Sequence, residues 1–352
     1  MNTIATDKNP LAVTSATFVQ RAVARGCSAT DAIEHYRAFF REGGAKSTLD
    51  VQPNPLRFIR EERDGDTTKF ILSRDDGLET ESVIIPITSR SGRLRNTLCV
   101  SSQVGCAMGC TFCETAQMGL LAHLTPAEIV AQWFHARHTL ATRIDNIVFM
   151  GMGEPMDNLD AVISAIEVLA DHNGPAIPPC NIAVSTVGRC AGVRRLARFA
   201  RQPGYRKLKL AVSVNAPNDA IRRSIMPIAR AEPMADLMHA MQEWTADGSP
   251  VLIEYVLIPG VNDEVEHARE LHAWLGELPC KVNVIPYNPR RDSPWPSPDA
   301  ESVDAFVAAL RERGRFVTRR QTFGRSAMAA CGQLGNAGIR QRRFLSVSTD
   351  NR

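Results

Sequence analysis

The sequence predicts an α/β protein whose core is a partial (βα)6 barrel, open on one side, preceded by a small N-terminal accessory region over 1–90. Three observations carry that expectation. From residue 91 onward, short apolar runs alternate with helical patterns, and elements of these lengths make right-handed crossovers into a parallel sheet. Six strand–helix units can be counted, too few to close an eight-stranded barrel. Glycines, cysteines and small polar residues recur where the apolar runs end, and in a parallel barrel such residues meet at the C-terminal ends of the strands.

Residues 1–14 read as a loose tail. The stretch 18–40 has helical apolar spacing broken at Arg25-Gly26-Cys27-Ser28; Ser28 and Asp31 start the second helix, and Gly43-Gly44 stops it. Alternating segments over 58–86, around Asp64-Gly65 and Asp75-Asp76-Gly77, read as small hairpins. The core, 91–340, begins with a short strand at 98–101 that feeds a cysteine-rich loop. Thr125-Pro126-Ala127-Glu128 is a capping box with proline at the first helical position, opening a helix to about Leu140. Strands are then expected at 144–150, 182–185, 208–214, 251–258, 281–286 and 316–320. The intervening helices fall at 159–170, from 193, from 219 to 244, at 264–275 and at 302–313. A basic tail, 341–352, follows.

At 352 residues the chain suits one large domain, or one with an appendage. No run approaches the roughly 18 apolar residues needed to cross a bilayer. The first residues have neither a basic n-region nor an apolar core, so no secretory signal and no membrane partner are expected. Nine unevenly spaced cysteines read as a reducing, cytoplasmic protein rather than a disulfide scaffold. A net charge of +3 does not by itself argue for nucleic acid. Its distribution is more informative: Arg194, Arg195, Arg198, Arg201, Arg206 and Lys207 crowd together, 311–320 is a second cluster, and Arg340, Arg342 and Arg343 a third. Such clusters fit phosphate contacts or solvated helix faces.

The chemistry centres on Cys106-Ala-Met-Gly-Cys110-Thr-Phe-Cys113. Three thiolates at this spacing fit one loop around a soft metal site. A structural zinc site needs four closed ligands, and no fourth cysteine lies close by in sequence; a cluster with three protein ligands leaves one iron open. An incomplete zinc knuckle or three small buried residues are the competing readings. Gly151-Met-Gly-Glu-Pro155 ends the next strand, where glycine lets backbone approach a ligand and Glu154 can accept from an ammonium.

The flanks of the triplet, Thr97-Leu-Cys99-Val-Ser-Ser-Gln-Val-Gly-Cys106 and Glu114-Thr-Ala-Gln-Met-Gly119, resemble the radical S-adenosylmethionine (SAM) signature in the form used by the RlmN/Cfr family of RNA adenine methyltransferases. The resemblance continues to Leu334, whereas the first 90 residues differ from the family's helical N-terminal domain. It implies a radical SAM barrel with a [4Fe–4S] cluster on Cys106, Cys110 and Cys113. Gly153 and Glu154 match the positions that hold the amino-acid end of SAM, and Ser185, Ser213, Val214, Asn215 and Asn288 its other contacts. Where this chain has Asn215 the family usually has histidine.

The segment 318–334 matches the one bearing the family's methylated cysteine, here Cys331, with Cys99 as the resolving thiol that forms a transient disulfide. Arg319, Arg320 and Arg325 would support a thiolate there. Glu81 matches the carboxylate assigned as proton acceptor, although the loop over 88–95 is longer than usual. Cys27, Cys180, Cys190 and Cys280 read as ordinary small residues.

The implied reaction methylates a ring carbon of adenine, C2 in preference to C8, in 23S rRNA, tRNA or both, and uses two SAM per turnover. The partners implied are RNA and a low-potential electron donor such as flavodoxin, with the chain a monomer. Two other readings stand beside it. A radical SAM activase acting on a peptide would have no need of Cys99 and Cys331. An iron–sulfur RNA-binding protein would not need Glu154, Ser185 and Asn288 together.

Overall fold

The computed structural model describes residues 9–44, 54–88, 92–321, 324 and 326–335. Its first turn departs from the expected loose tail. Asn9 accepts from the Leu11 N–H at 2.9 Å, Pro10 fixes the backbone, and Leu11 is fully buried. The rest of that tail, 1–8, lies outside the described residues, as do Arg325 and the basic residues Arg340, Arg342 and Arg343.

Helices α1 (Ser15–Val23) and α2 (Ala29–Glu42) break where the sequence predicted. Ser28 Oγ accepts from the Asp31 N–H at 3.0 Å, and Gly43 closes α2 in the left-handed region with φ 72°. Phe39 and Phe40 pack on Phe134 and Trp133, with ring centroids 5.2 and 6.0 Å apart, seating this pair on the barrel's outer layer. Strands β1 (Arg57–Asp64), β2 (Thr67–Ser73) and β3 (Glu79–Thr88) form an antiparallel meander. Strand β4 (Leu94–Cys99) pairs antiparallel with β3 and places Val83 opposite Cys99.

The Thr97–Cys99 end of β4 also pairs parallel with β7 (Asn146–Phe149), so the accessory strands and the barrel share one sheet. Before β7 the chain makes β5 (Gln103–Cys106), α3 (Glu114–Gln117), β6 (Gly119–His123) and α4 (Pro126–Phe134), the last capped by the Thr125–Glu128 box. Strands β5 and β6 form a separate antiparallel pair that the sequence did not disclose. Then α5 (Leu159–Ala170), β8 (Ile182–Thr186), α6 (Cys190–Ala200), β9 (Lys209–Ser213), α7 (Asp219–Ile225) and α8 (Met234–Thr245) follow. The chain continues through β10 (Val251–Leu257), α9 (Val265–Leu275), β11 (Cys280–Pro286), α10 (Ala300–Arg311) and β12 (Val317–Arg319).

The sheet order is β1-β2-β3-β4-β7-β8-β9-β10-β11-β12, with every pair from β4 onward parallel. Strands β4 and β12 do not pair among the described residues, which leaves the barrel open between them. Alternation gives each strand two duties. Leu98, Ile147, Ile182, Leu210, Ile253 and Val282 are fully buried beneath the helices. Cys99, Ser185, Ser213, Glu254 and Arg320 take the opposite parity and face the interior.

The segment 326–335 lies across the accessory sheet and reaches the cysteine loop. Ser326 N–H donates to Asp64 Oδ2 at 2.9 Å and Gly335 N–H to Glu81 Oε2 at 3.2 Å. On its other side, Glu114 N–H donates to Gly332 O at 2.7 Å and Thr115 Oγ1 to Leu334 O at 2.6 Å. Among the described residues, no helix is long and apolar enough to cross a membrane.

Candidate active site

Cys106 ends β5, Cys110 sits in the following loop and Cys113 caps α3. The loop can fold back because Gly105 has φ 74°; a Cβ there would lie 1.8 Å from the Gly119 carbonyl oxygen on β6. Glu114 anchors α3, accepting from the Arg291 N–H at 3.1 Å and from Arg291 Nη1 at 3.0 Å. All three cysteines line one cavity at the C-terminal ends of the strands. Cys331 enters the same cavity from the C-terminal segment, so a fourth thiol is near in space although distant in sequence.

Among the described residues, no three His, Cys, Asp or Glu side chains are gathered closely enough to hold a single metal ion. Three thiols on the wall of one cavity, each able to bind its own iron, are a donor set that fits a cluster on Cys106, Cys110 and Cys113.

The cavity also presents a cradle for a charged organic ligand. Gly153 has φ 101°, and a Cβ on it would stand 2.5 Å from Gln103 Cβ, so only glycine keeps this wall open. Glu154 is buried, with Oε1 accepting from the Met156 N–H at 3.1 Å and Oε2 from the Val187 N–H at 2.9 Å. Burial raises its carboxyl to about 7 against those hydrogen bonds. Ser185, Ser213 and Asn215 line the same space. Asn215 holds φ 56°, which asparagine tolerates, and its Oδ1 accepts from the Val256 N–H at 2.9 Å. Val214 lines neither cavity of this region; it is fully buried, and its N–H donates to Glu254 O at 3.1 Å.

A second cavity adjoins the first and shares Cys113, Met150, Arg320 and Cys331 with it. Cys99 and Asn288 line this second space. Both Cys99 and Cys331 are free thiols here, so no disulfide joins them. Burial pushes the Cys99 thiol up to about 12, Cys331 adds to the rise, and Arg320 opposes it.

Arg319 does not join them. It is the last residue of β12 and faces outward, with Nη1 2.7 Å from Asp304 Oδ1 on α10. Glu81 lines neither cavity. Its carboxylate is buried beside Lys69, whose Nζ is 3.9 Å away and also 2.8 Å from Glu62, and burial raises its pKa while Lys69 lowers it.

Sequence reading missed three charged residues. Lys69 bridges two carboxylates, and Glu114 fixes the cluster helix. Glu254 faces the first cavity from the centre of β10; its signal was available, since a carboxylate amid Val251-Leu-Ile-Glu254-Tyr-Val-Leu seldom lacks a purpose. Half of the basic cluster around α6 is committed to the protein itself. Arg194 pairs with Glu243 at 2.7 Å, Arg195 with Asp160, and Arg201 with the Glu243 carbonyl at 2.6 Å. Arg198, Arg206 and Lys207 remain exposed.

Comparison with known proteins agrees with this geometry. Residues 100–272 match the radical SAM superfamily, and the barrel with its three-cysteine loop defines an enzyme of that class. The chain is 44% identical over 281 residues to a probable dual-specificity RNA methyltransferase RlmN 1 of Protochlamydia amoebophila, covering 80% of this chain and 76% of that protein. It is 40% identical over 316 residues to the dual-specificity RNA methyltransferase RlmN of Geobacter sulfurreducens, covering 90% and 82%. The crystal structure of a radical SAM methyltransferase from Sphaerobacter thermophilus superposes with a TM-score of 0.84 at 36% identity, covering 92% of this chain and 98% of that one. The chain belongs to the RlmN family of radical SAM RNA methyltransferases. A [4Fe–4S] cluster and SAM are the cofactors this class of enzyme uses.

Proposed function

We propose that this protein methylates a ring carbon of adenine in RNA, C2 rather than C8, through an S-methylcysteine formed at Cys331. The observation that carries the reading is the meeting of Cys99 and Cys331, from distant parts of the chain, in a cavity that opens onto the cysteine loop. An aromatic C–H carbon of adenine is too weak a nucleophile to attack SAM directly, so a carrier thiol is needed.

Cys106, Cys110 and Cys113 would hold the cluster, Gly153 and Glu154 the amino-acid end of SAM, and Ser185, Ser213, Asn215 and Asn288 its remaining contacts; Val214, expected among them, lines neither cavity and has both backbone polar groups bonded within the protein. A cluster held there, reduced by an electron donor of the flavodoxin type, would supply the electron that makes SAM a source of hydrogen-abstracting radical chemistry. Cys331 first takes a methyl group from one SAM by displacement, then presents that methyl for hydrogen abstraction at the expense of a second. The resulting carbon radical adds to the base, which stays tethered to the Cys331 sulfur, and the adduct radical gives one electron to the oxidised form of the flavodoxin-type donor. Glu81 takes the ring proton; since its carboxylate accepts from Gly335 in the structure, this role requires the RNA-bound segment to release it. Cys99 then attacks the Cys331 sulfur, a disulfide forms, and the methylated base leaves.

The base must leave its stack to reach this site, so looped or single-stranded regions of 23S rRNA and tRNA are the substrates. We assign 1–90 as the accessory region, 91–340 as the radical SAM core with its carrier segment and 341–352 as a basic tail, in a monomeric cytoplasmic enzyme. A peptide-activating enzyme would have no use for the paired thiols.

Mass spectrometry of adenosines in RNA from a deletion strain and its parent tests the reading. Loss of 2-methyladenosine in the deletion strain is expected. Loss of 8-methyladenosine instead would overturn the regiochemistry, and unchanged adenosines would overturn the function.

A further inference from the structure

Arg320 follows β12, and its side chain crosses the interior near the open seam of the barrel. Its Nη1 lies 3.7 Å from Met150 Sδ, just beyond β7, and 3.7 Å from Glu254 Oε2 on β10. An arginine–carboxylate pair in full contact sits about 2.7–2.9 Å apart, so this one is loose. Glu254 itself is fixed: Oε1 accepts from Asn283 Nδ2 at 2.9 Å, while the buried Oε2 has no hydrogen-bond partner among the described residues. The guanidinium is thus tethered by charge rather than locked, with donors left to face the cavities. Arg320 lines both of them, the second together with Cys99 and Cys331. Arg319, the neighbouring cation, is turned away onto Asp304.

The Cys99 side chain is almost wholly buried, yet attack on another sulfur requires the thiolate. A buried anion needs a counter-charge. We propose that Arg320, tethered by Glu254, is a positioning residue that supplies the positive charge against which the Cys99 sulfur attacks Cys331. The proposal rests on the tethered mechanism given above. In that step the deprotonated Cys99 sulfur forms the S–S bond as the Cys331 S–C bond breaks. The released electron pair passes to the methylene carbon, which takes a proton from water and becomes methyl; the carbon is reduced as the two sulfurs are oxidised to the disulfide.

The test uses anaerobic holoenzyme with total RNA from a strain lacking the enzyme, read by denaturing gel and mass spectrometry of nuclease-trimmed peptides. Arg320→Met should keep its iron and still methylate Cys331. It should release methyladenosine about tenfold more slowly or worse and accumulate a protein–RNA adduct at Cys331. Arg320→Lys should recover most of the release, which a merely structural role would not allow. Glu254→Gln should give a smaller adduct; if Arg320→Met loses its iron or its fold, this variant decides, and no adduct in it overturns the proposal. Release at the parent rate by Arg320→Met overturns it too, as does unmethylated Cys331 without adduct. A parallel Cys99→Ala sample separates the failures. Adduct there but none in Arg320→Met sinks the role of Arg320 alone; adduct in neither sinks the tethered mechanism and this proposal with it.

Discussion

Glu154 and Cys331 face the same cavity, yet they are held there in opposite ways. Glu154 stands at a strand end, and its two carboxylate oxygens are fixed by N–H groups of Met156 and Val187, both of the barrel. Cys331 sits on a segment without regular structure, tied by single hydrogen bonds to the accessory sheet at Asp64 and Glu81, to α3 at Glu114 and Thr115, and to the loop after β11 at Pro289 and Arg291. The barrel half is pre-formed, as suits a cofactor bound the same way in every turnover. The Cys331 half is an assembly of four remote parts of the chain, joined by scattered single hydrogen bonds rather than by a sheet ladder. The accessory strands are therefore the bed of the carrier segment as well as an extension of the sheet.

If the barrel half is rigid, small changes there should be severe. Cys110→Ala should abolish the brown colour of anaerobically prepared protein, its roughly four irons per chain, and all SAM cleavage. Stoichiometric zinc without iron in the parent protein would contradict the cluster. Gly153→Ala meets both a positive φ and the Gln103 side chain, which costs about 1–3 kcal/mol in strain. SAM affinity by calorimetry should fall by roughly tenfold or more, and parent-like binding would show that this wall is not tight.

Glu154 gives a pH signature. Its folded-state pKa of about 7 lies above the ordinary carboxylate value, so the folded chain holds a proton that the unfolded chain has lost. Stability of cluster-free protein should therefore fall as pH rises from about 4.5 to 7, by on the order of 3 kcal/mol at most. Glu154→Gln should flatten that stretch of the denaturation profile; an unchanged slope would mean the group is solvated. The smallest effect is expected outside the site. Replacing Arg194 and Arg195 by glutamine should leave the salt dependence of RNA binding nearly unchanged, because both already pair with Glu243 and Asp160. A slope reduced by about two contacts would place α6 at the RNA after all.

The same contrast decides what could be read in the sequence. Barrel strands were legible as short apolar runs between stretches of helical period, and Thr125 and Ser28 announce their helices chemically. The cysteine triplet and Gly151-Met-Gly-Glu-Pro155 are contiguous, so their spacing states their chemistry. The β5–β6 pair escaped because a four-residue strand containing Gly105 shows no alternation. Asn9–Leu11 escaped because three residues, though buried, are too few to show a period. Cys99, Glu81 and Cys331 were named by family resemblance alone; only the fold shows Lys69 beside Glu81, and only the fold selects Arg320 rather than Arg319 as the arginine that lines the cavity with the two thiols. The parity of β12, which turns Arg319 out and Arg320 in, was implicit once the strand was placed.

The central claim is that Cys331 carries the methyl group to the base and Cys99 frees it. It is tested most directly by trapping labelled RNA on single-cysteine variants under turnover conditions, on a denaturing gel followed by mass spectrometry. Cys99→Ala should accumulate a covalent RNA adduct joined through a methylene to Cys331, stable to reductants because it is a thioether. Cys331→Ala and the double variant should give none. Normal turnover by Cys99→Ala, or an adduct mapped to any cysteine other than Cys331, would contradict the account.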